Sequence, residues 1–192
     1  MGKLKYLIIH CTATPEDREV DQYDIMKWHL GPYYDKDGTI VYKGKQYGSI
    51  QELPDERIGG IDIAQIRGRG WKRVGYSKLF PLHTQPVTLV EYDDDDIVDP
   101  YELTNGVRGL NSVSRHFCYV GGLDAATLKP KDTRTQMQFL TLQSAVIDEV
   151  RKYSDILVAG HNSFSTKACP CFDVADWCRL INIPEKNIYV EA

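Results

Sequence analysis

The chain is organised around the segment GHNSFSTKACPCFD, residues 160–173. It follows an apolar run, residues 155–159, that predicts a buried strand, and a helical pattern begins just after it. The segment contains His161 and Cys169, and imidazole and thiolate are both good ligands for zinc. Because two ligands do not make a site, the rest of the chain must supply a third. The strongest candidate is His10, at the end of the first apolar run.

Composition narrows the class of protein. The chain has 192 residues, of which 42% are hydrophobic, and this fits one globular domain with a sizeable core. The formal net charge is −4, and Lys and Arg are not clustered, so we expect no nucleic acid as a partner. The five cysteines show no framework spacing, which favours a reducing compartment.

The N-terminal apolar run is too short for a signal peptide, and no run approaches the roughly 18 apolar residues of a transmembrane helix. We therefore expect a protein that is made in the cytoplasm and has no stable association with a membrane. If its substrate lies outside the cytoplasm, another component must release the protein.

Hydrophobic patterns predict alternating strands and helices, and hence an α/β fold with a central mixed sheet. The main strands are predicted at 5–11, 71–80, 87–92, 114–120 and 155–159. The first helix is predicted at 21–30, the second from the capping box at 133–136 to about 153, and the third after 173. In the first strand, His10 and Thr12 face one side while Ile9 and Cys11 face the other. Residues 133–136 match a capping box at the start of the second helix.

Residues 33–68 differ from the rest because they are rich in turns. Asp37-Gly38 is a hairpin signal, and paired glycines follow at Gly59-Gly60. The segment is too short to bury much surface alone. We interpret it as a surface excursion inserted into a single domain that spans residues 1–192.

A catalytic zinc ion usually has three protein ligands and one open position. His10, His161 and Cys169 supply that number of ligands. Chemistry at such a centre also needs a group that moves a proton and a cation that holds developing negative charge. Tyr76 and Lys167 are available for these two roles.

Four stretches make the chain resemble the zinc-dependent N-acetylmuramoyl-L-alanine amidases, a group that includes phage amidase-type lysozymes and peptidoglycan recognition proteins. They are residues 8–14, Trp28-His29 with residues 70–76, residues 111–122, and Gly160-His161 with residues 167–170. The stretches follow the family's order along nearly the whole chain. The fourth is the most specific, because the steps from histidine to lysine and to cysteine both match phage-type members.

The resemblance implies that His10, His161 and Cys169 bind Zn²⁺. It also implies that Tyr76 lies beside the reacting water and that Lys167 faces the substrate carbonyl. The implied fold is a central mixed β-sheet flanked by helices on both sides, with a groove across the metal. The implied reaction is hydrolysis of the amide between N-acetylmuramic acid and the L-alanine of the stem peptide.

We therefore expect a monomeric phage or prophage endolysin that acts on peptidoglycan in the periplasm or cell wall after release. One alternative is a cytosolic amidase that cuts recycled muropeptides. Another is a non-catalytic module that binds peptidoglycan, although an intact ligand set argues against it. The 33–68 excursion either lengthens the substrate groove or binds something else.

Two positions depart from the family pattern. Ser77 stands where many members have a histidine after the strand tyrosine. Some members place a catalytic glutamate on the strand that here covers residues 115–119, which contain no carboxylate. A glutamate base of that kind is therefore not expected.

Other residues compete for the roles assigned above. His29 is an alternative metal ligand, but its core-facing helix neighbours favour a structural role. Cys171 could replace Cys169 on the metal. His116 is either a partner of a ligand or simply a polar strand residue, and we favour a structural role. Asp173 either caps the last helix or hydrogen-bonds a ligating histidine.

Overall fold

A computed structural model describes residues 2–191. The chain forms two compact units: the first joins the segment up to Glu19 to the segment from Tyr76 onward, and the second is Val20–Gly75. The described residues include three α-helices, α1 (Gln22–Leu30), α2 (Gln136–Lys152) and α3 (Val174–Leu180). Within the same residues, no helix has the length and apolar character that crossing a bilayer requires.

The first unit is built on a central sheet that has five strands among the described residues. They are β1 (Tyr6–Cys11), β2 (Lys78–Phe80), β3 (Val87–Thr88), β4 (Ser114–Tyr119) and β5 (Leu157–Gly160). The order across the sheet is β3-β2-β4-β1-β5, in which β3 is antiparallel to β2 and the other neighbours are parallel. The predicted α/β class with a central mixed sheet and helices is confirmed.

The two faces of the sheet have different characters because side chains alternate along each strand. Leu7 and Ile9 share one face with Phe117, which lies opposite Ile9 in the parallel register. Helices α2 and α3 pack on this face, and together they bury an apolar core that includes Leu142, Val146, Val150, Trp177 and Cys178. The other face carries His10 and, from β4, His116 and Cys118.

Several predicted boundaries are wrong by a few residues. The strand predicted at 71–80 forms only at Lys78–Phe80, and the one predicted at 87–92 ends at Thr88. Strand β3 lies at the edge of the sheet, where it pairs with two residues of β2. Because so few residues pair at this edge, the rest of the alternating segment does not form a strand.

The helix caps explain where α2 and α3 begin. The capping box of α2 is formed by Thr135 and Gln138, so the prediction that placed it at 133–136 is wrong in register. The Thr133 hydroxyl instead accepts a hydrogen bond from the backbone N–H of Gly122 at 2.7 Å. Asp173 caps α3 by accepting from the N–H of Asp176, as one of its two predicted roles required.

The unit Val20–Gly75 contains the predicted excursion and extends beyond it on both sides. Its three-stranded antiparallel sheet consists of Tyr33–Tyr34, Ile40–Tyr42 and Lys45–Tyr47. A hairpin, Arg57–Ile58 with Ile61–Asp62, follows. Its small apolar core is formed by Tyr42, Ile58, Ile63 and Ile66. The assignment of the whole chain to one domain stays a prediction.

Short two-stranded pairs complete the first unit. Gly2–Lys3 pairs with Ile97–Val98, and Thr14–Pro15 pairs with Gly122–Leu123. The second pair extends the chain just beyond β1 and β4, where the two strands lie side by side. It therefore fixes the path of the chain just after the end of β1, close to His10.

A buried ion pair connects the sheet to α2. Arg115 Nη1 donates to Glu149 Oε2 at 3.0 Å, and the two side chains are 3% and 9% exposed. Tyr92 donates a second hydrogen bond to Glu149 at 2.9 Å, and the Arg115 guanidinium lies over the Tyr92 ring. Removing one partner of a buried pair leaves an uncompensated charge, which costs far more than the intact pair contributes.

We predict that Glu149→Leu lowers the free energy of unfolding by about 3–5 kcal/mol, because it leaves the Arg115 charge buried without its partner. The double variant Arg115→Met/Glu149→Leu should recover much of this loss. Urea unfolding of the three proteins measures both effects. As a control, Asp176→Ala breaks an exposed ion pair with Arg179 and should change stability little. Equal effects of Glu149→Leu and Asp176→Ala would contradict the prediction.

Candidate metal centre

Adjacent parallel strands bring two histidines together. His10 is the penultimate residue of β1, and His161 directly follows the last residue of β5. Since β1 and β5 run parallel with Ile9 opposite Gly160, their carboxyl ends meet at the same edge of the sheet. The Nδ1 atoms of His10 and His161 lie 3.1 Å apart, although 151 residues separate them in the chain.

The loop that follows β5 folds back to deliver the cysteine. The Asn162 N–H donates to the Cys169 carbonyl at 2.7 Å, and the Tyr119 hydroxyl of β4 donates to the Pro170 carbonyl at 2.6 Å. Cys169 Sγ then lies 3.8 Å from His10 Nδ1 and accepts a hydrogen bond from the Cys11 N–H at 3.2 Å. Hydrogen bonds from Asn162 within the loop, from Tyr119 of β4 and from Cys11 of β1 thus hold Cys169 in place.

The ligand atoms of His10, His161 and Cys169 all lie within 4.8 Å of one another, and this group could hold a metal ion. Tetrahedral zinc with ordinary bond lengths would place two nitrogen ligands about 3.3 Å apart, and a nitrogen and a sulfur ligand about 3.6 Å apart. The two separations from His10 Nδ1, 3.1 Å to His161 Nδ1 and 3.8 Å to Cys169 Sγ, are close to these values, and His161 and Cys169 lie within 4.8 Å of each other. The donor set and its spacing therefore fit zinc.

Tyr76 lies beside this cluster, two residues before β2. Its ring centroid is 5.3 Å from that of His10. Burial, reinforced by the neighbouring thiols of Cys118, Cys169 and Cys11, raises the pKa of Tyr76 well above its ordinary value. The phenol therefore stays protonated, and its hydroxyl hydrogen-bonds the side chain of Cys118.

Lys167 is exposed on the loop between the two ligands that follow β5. Burial lowers the pKa of His161, and the positive charge of Lys167 lowers it further. A neutral imidazole is the form that binds a metal, so both influences prepare His161 as a ligand. The catalytic roles of Tyr76 and Lys167 stay predictions.

His116 also reaches the cluster, and the sequence analysis favoured a purely structural role for it. Its Nδ1 lies 2.9 Å from His10 Nε2, and both side chains are buried. Burial, with a smaller contribution from His161, lowers the pKa of His116 to about 3. The alternation of side chains along β4 was the available signal, but using it required knowing that β4 pairs with β1 in this register.

The competing residues have other partners. Cys171 Sγ lies 3.6 Å from Cys11 Sγ, outside the group of three ligands. His29 accepts a hydrogen bond from the Gly75 N–H at 3.0 Å and stacks on Trp71. In the described part of the chain, all five cysteines are free thiols. The geometry thus favours Cys169 over Cys171 and gives His29 a structural setting.

The fold defines a class of protein. Its five-stranded mixed sheet with helices is the fold of solved amidases and of a peptidoglycan recognition protein, and the resemblance drawn from the four stretches is confirmed. Solved structures with this fold include the Ph2119 endolysin of a Thermus scotoductus MAT2119 bacteriophage, bumblebee PGRP-SA, and the N-acetylmuramoyl-L-alanine amidase LysC of Clostridium intestinale URNW.

Their TM-scores are 0.53, 0.53 and 0.50, and their identities to this chain are 17%, 13% and 13%. The similarity covers 98%, 93% and 95% of this chain, and 88%, 82% and 87% of those chains. At these identities the comparison establishes the fold.

Two phage proteins are similar in sequence as well. The endolysin of Klebsiella phage KP32 is 25% identical over 171 residues, and that of Enterobacteria phage K11 is 26% identical over 172 residues. Each alignment covers 89% of this chain and 83% of the phage protein. No family model matches the chain.

The structural role of His29 gives a pH-dependent prediction. Burial, with a smaller contribution from Arg69, lowers the pKa of His29 from 6.5 to about 4. Between these values the unfolded chain binds a proton that the folded chain does not, so stability falls as the pH drops from about 6.5 to 4. The expected loss from this residue is at most about 3 kcal/mol.

His29→Gln keeps an acceptor near the Gly75 N–H but removes the titrating group. Urea unfolding of the metal-free protein at several pH values between 7 and 4 should therefore show a shallower slope for the variant. The difference should approach one proton per molecule. Identical slopes for the two proteins would show that His29 does not titrate with folding.

Proposed function

We propose that this protein is a zinc-dependent N-acetylmuramoyl-L-alanine amidase that acts as a phage endolysin. The observation that carries the proposal is the His10–His161–Cys169 cluster, whose spacing fits tetrahedral zinc. The similarity to endolysins of two phages supports the substrate class, which is peptidoglycan. In this proposal the protein works as a monomer after release from the cytoplasm, and the bond cut joins N-acetylmuramic acid to L-alanine.

A bound zinc ion would polarise the substrate carbonyl and make a water molecule more acidic. His10 and His161 would supply Nδ1 atoms to it, and Cys169 would supply a thiolate, since a coordinating thiol loses its proton. The Cys11 N–H donates to the Cys169 sulfur and so stabilises its negative charge. Hydrogen bonds of this kind orient a ligand and tune the charge that it gives to the metal.

Tyr76 supplies a proton relay in this scheme. Strand β4 has no carboxylate among Ser114–Tyr119, so a general base of that type is not available from it. Because the pKa of Tyr76 is raised, its phenolate form is unfavourable, and the hydroxyl donates its proton only when it accepts another at the same time. We propose that it passes one proton from the attacking water to the leaving nitrogen of L-alanine.

Lys167 supplies positive charge for the oxyanion that the attack creates. Its ammonium is exposed on the ligand loop, and its charge acts on His161. Positive charge placed where negative charge develops stabilises the transition state. Lys167 would also help to place the anionic stem peptide of the substrate.

The proposal predicts about one zinc ion per chain and release of new L-alanine amino termini from purified peptidoglycan. Chelation should abolish this release, and zinc should restore it. Cys169→Ala should lose both the metal and the activity. Its matched control, Cys171→Ala, should keep both, because Cys171 contacts Cys11 outside the ligand group.

Bound zinc without amine release from several wall types would instead favour the non-catalytic binding module. Release from soluble muropeptides but not from intact wall would favour the cytosolic recycling enzyme. A wild-type chain that binds no zinc would refute the proposed metal centre.

We predict that Lys167→Met lowers kcat by roughly 10²–10³-fold, the range seen when one oxyanion-stabilising group is removed. Zinc content should stay at the wild-type level, since Lys167 is not a ligand. Lys186→Met, which changes another exposed lysine of the first unit, serves as the control and should leave kcat unchanged. A wild-type kcat for Lys167→Met would remove this residue from the mechanism.

A further inference from the structure

We propose that His116 is a positioning residue for the metal centre, because it accepts a hydrogen bond from Nε2–H of His10 and so keeps Nδ1 of His10 unprotonated, as metal binding requires. This inference rests on the proposed function, which requires a metal at the cluster. His116 would not bind the metal itself but would hydrogen-bond one of its three proposed ligands, through an imidazole ring.

The two nitrogens of His10 face different groups. Nδ1 lies 3.1 Å from His161 Nδ1 and 3.8 Å from Cys169 Sγ, so it points at the position of the metal. Nε2 lies 2.9 Å from His116 Nδ1 on the inner side. A neutral imidazole carries one proton, and metal binding needs a bare nitrogen. The proton of His10 must therefore lie on Nε2.

This assignment fixes the state of His116 as well. To accept from Nε2–H of His10, Nδ1 of His116 must be bare, and its own proton must lie on Nε2. The reverse arrangement, in which His116 donates, would move the proton of His10 to Nδ1. That proton would then point at His161 and Cys169 and block binding of the metal.

The structure holds the His116 ring in place from several sides. The His116 carbonyl accepts from both the N–H and the hydroxyl of Ser77, at 2.8 Å and 2.9 Å, and its N–H donates back to the Ser77 hydroxyl at 3.2 Å. Gly106 lies against the ring so closely that a Cβ there would come within 2.2 Å of Nδ1. Ser77 thus anchors the backbone of His116, and the absence of a side chain at Gly106 makes room for the ring.

The arrangement also has a cost, which argues for a role beyond packing. Among the described residues, Nε2 of His116 is buried and has no hydrogen-bond partner. A buried polar group without a partner is destabilising, because it loses its hydrogen bonds to water without gaining others. An apolar residue would fill this position on the sheet without that cost. The hydrogen bond between His116 Nδ1 and His10 Nε2 offsets this cost, since it connects the His116 ring to a proposed metal ligand.

Partners of this type commonly change metal affinity by about 10–100-fold when they are removed. The test therefore measures zinc affinity directly, by competition with a chromophoric chelator, rather than turnover. His116→Phe keeps most of the ring volume and removes the acceptor, and we expect it to weaken zinc binding by about 10–100-fold. His116→Asn places an amide oxygen near the position of Nδ1 and should restore affinity to within a few-fold of the wild-type value.

Phe117→Leu is the matched control for general damage to β4. Phe117 is buried on the opposite face of the sheet, in the core formed with α2 and α3. This variant should lower the stability of the metal-free protein and leave zinc affinity unchanged. Thermal unfolding of each metal-free variant shows whether the protein has folded before zinc is added.

A second readout follows the proton itself. Long-range ¹H–¹⁵N correlation spectra of the zinc-loaded protein report which nitrogen of each histidine carries hydrogen. We expect the His10 proton on Nε2 in the wild-type protein and in His116→Asn. Wild-type zinc affinity in His116→Phe, or a His10 that binds zinc through Nε2, would overturn this inference while leaving the amidase proposal intact. A wild-type protein without zinc affinity would instead refute the metal centre itself.

Discussion

The candidate site depends on one constraint, the position of β1 between β4 and β5 in the parallel part of the sheet. Pairing with β5 places His161 beside His10, and pairing with β4 places His116 behind it. Because side chains alternate with a period of two, a slip of one residue in either pairing would turn the partner residue to the opposite face. The apolar residues on the other face, among them Leu7 and Ile9, oppose such a slip because it would move them out of the core.

The same packing sets the electrostatics of the site. Burial favours the neutral imidazole of His116 and the protonated phenol of Tyr76, and burial, assisted by the charge of Lys167, favours the neutral imidazole of His161. Neutral histidines are ready to bind a cation, whereas protonated ones would repel it. The sheet therefore favours the neutral, ligand-competent forms of these histidines, and the loop with Lys167 stays exposed.

Much of this arrangement could be predicted from the sequence. The apolar runs located β1, β4 and β5, and the ligand types at their ends indicated His10, His161 and Cys169, which the structure brings together. Local signals were less reliable at the edge of the sheet, where β3 is shorter than its alternation suggested. The capping box of α2 was misplaced because two threonines lie two residues apart, and tertiary contacts decide which of them caps the helix.

The role of His116 could not be found in this way, because strand register is a long-range property. Nothing in residues 114–119 alone indicates that the third of them lies diagonally behind His10. Similarly, the turns of residues 33–68 were visible, but the small core that they share with the rest of Val20–Gly75 was not. Both features depend on contacts between residues that are distant in sequence.

The sequence separation of 151 between His10 and His161 has a consequence for biosynthesis. His10 emerges early from the ribosome, whereas His161 and Cys169 emerge when synthesis is almost finished. Of the three proposed ligands, a nascent chain thus has only His10, which by itself binds a metal weakly, until β5 has docked against β1. In the proposed function, metal loading consequently follows closure of the sheet, and a chain that ends before residue 161 lacks two of the three proposed ligands.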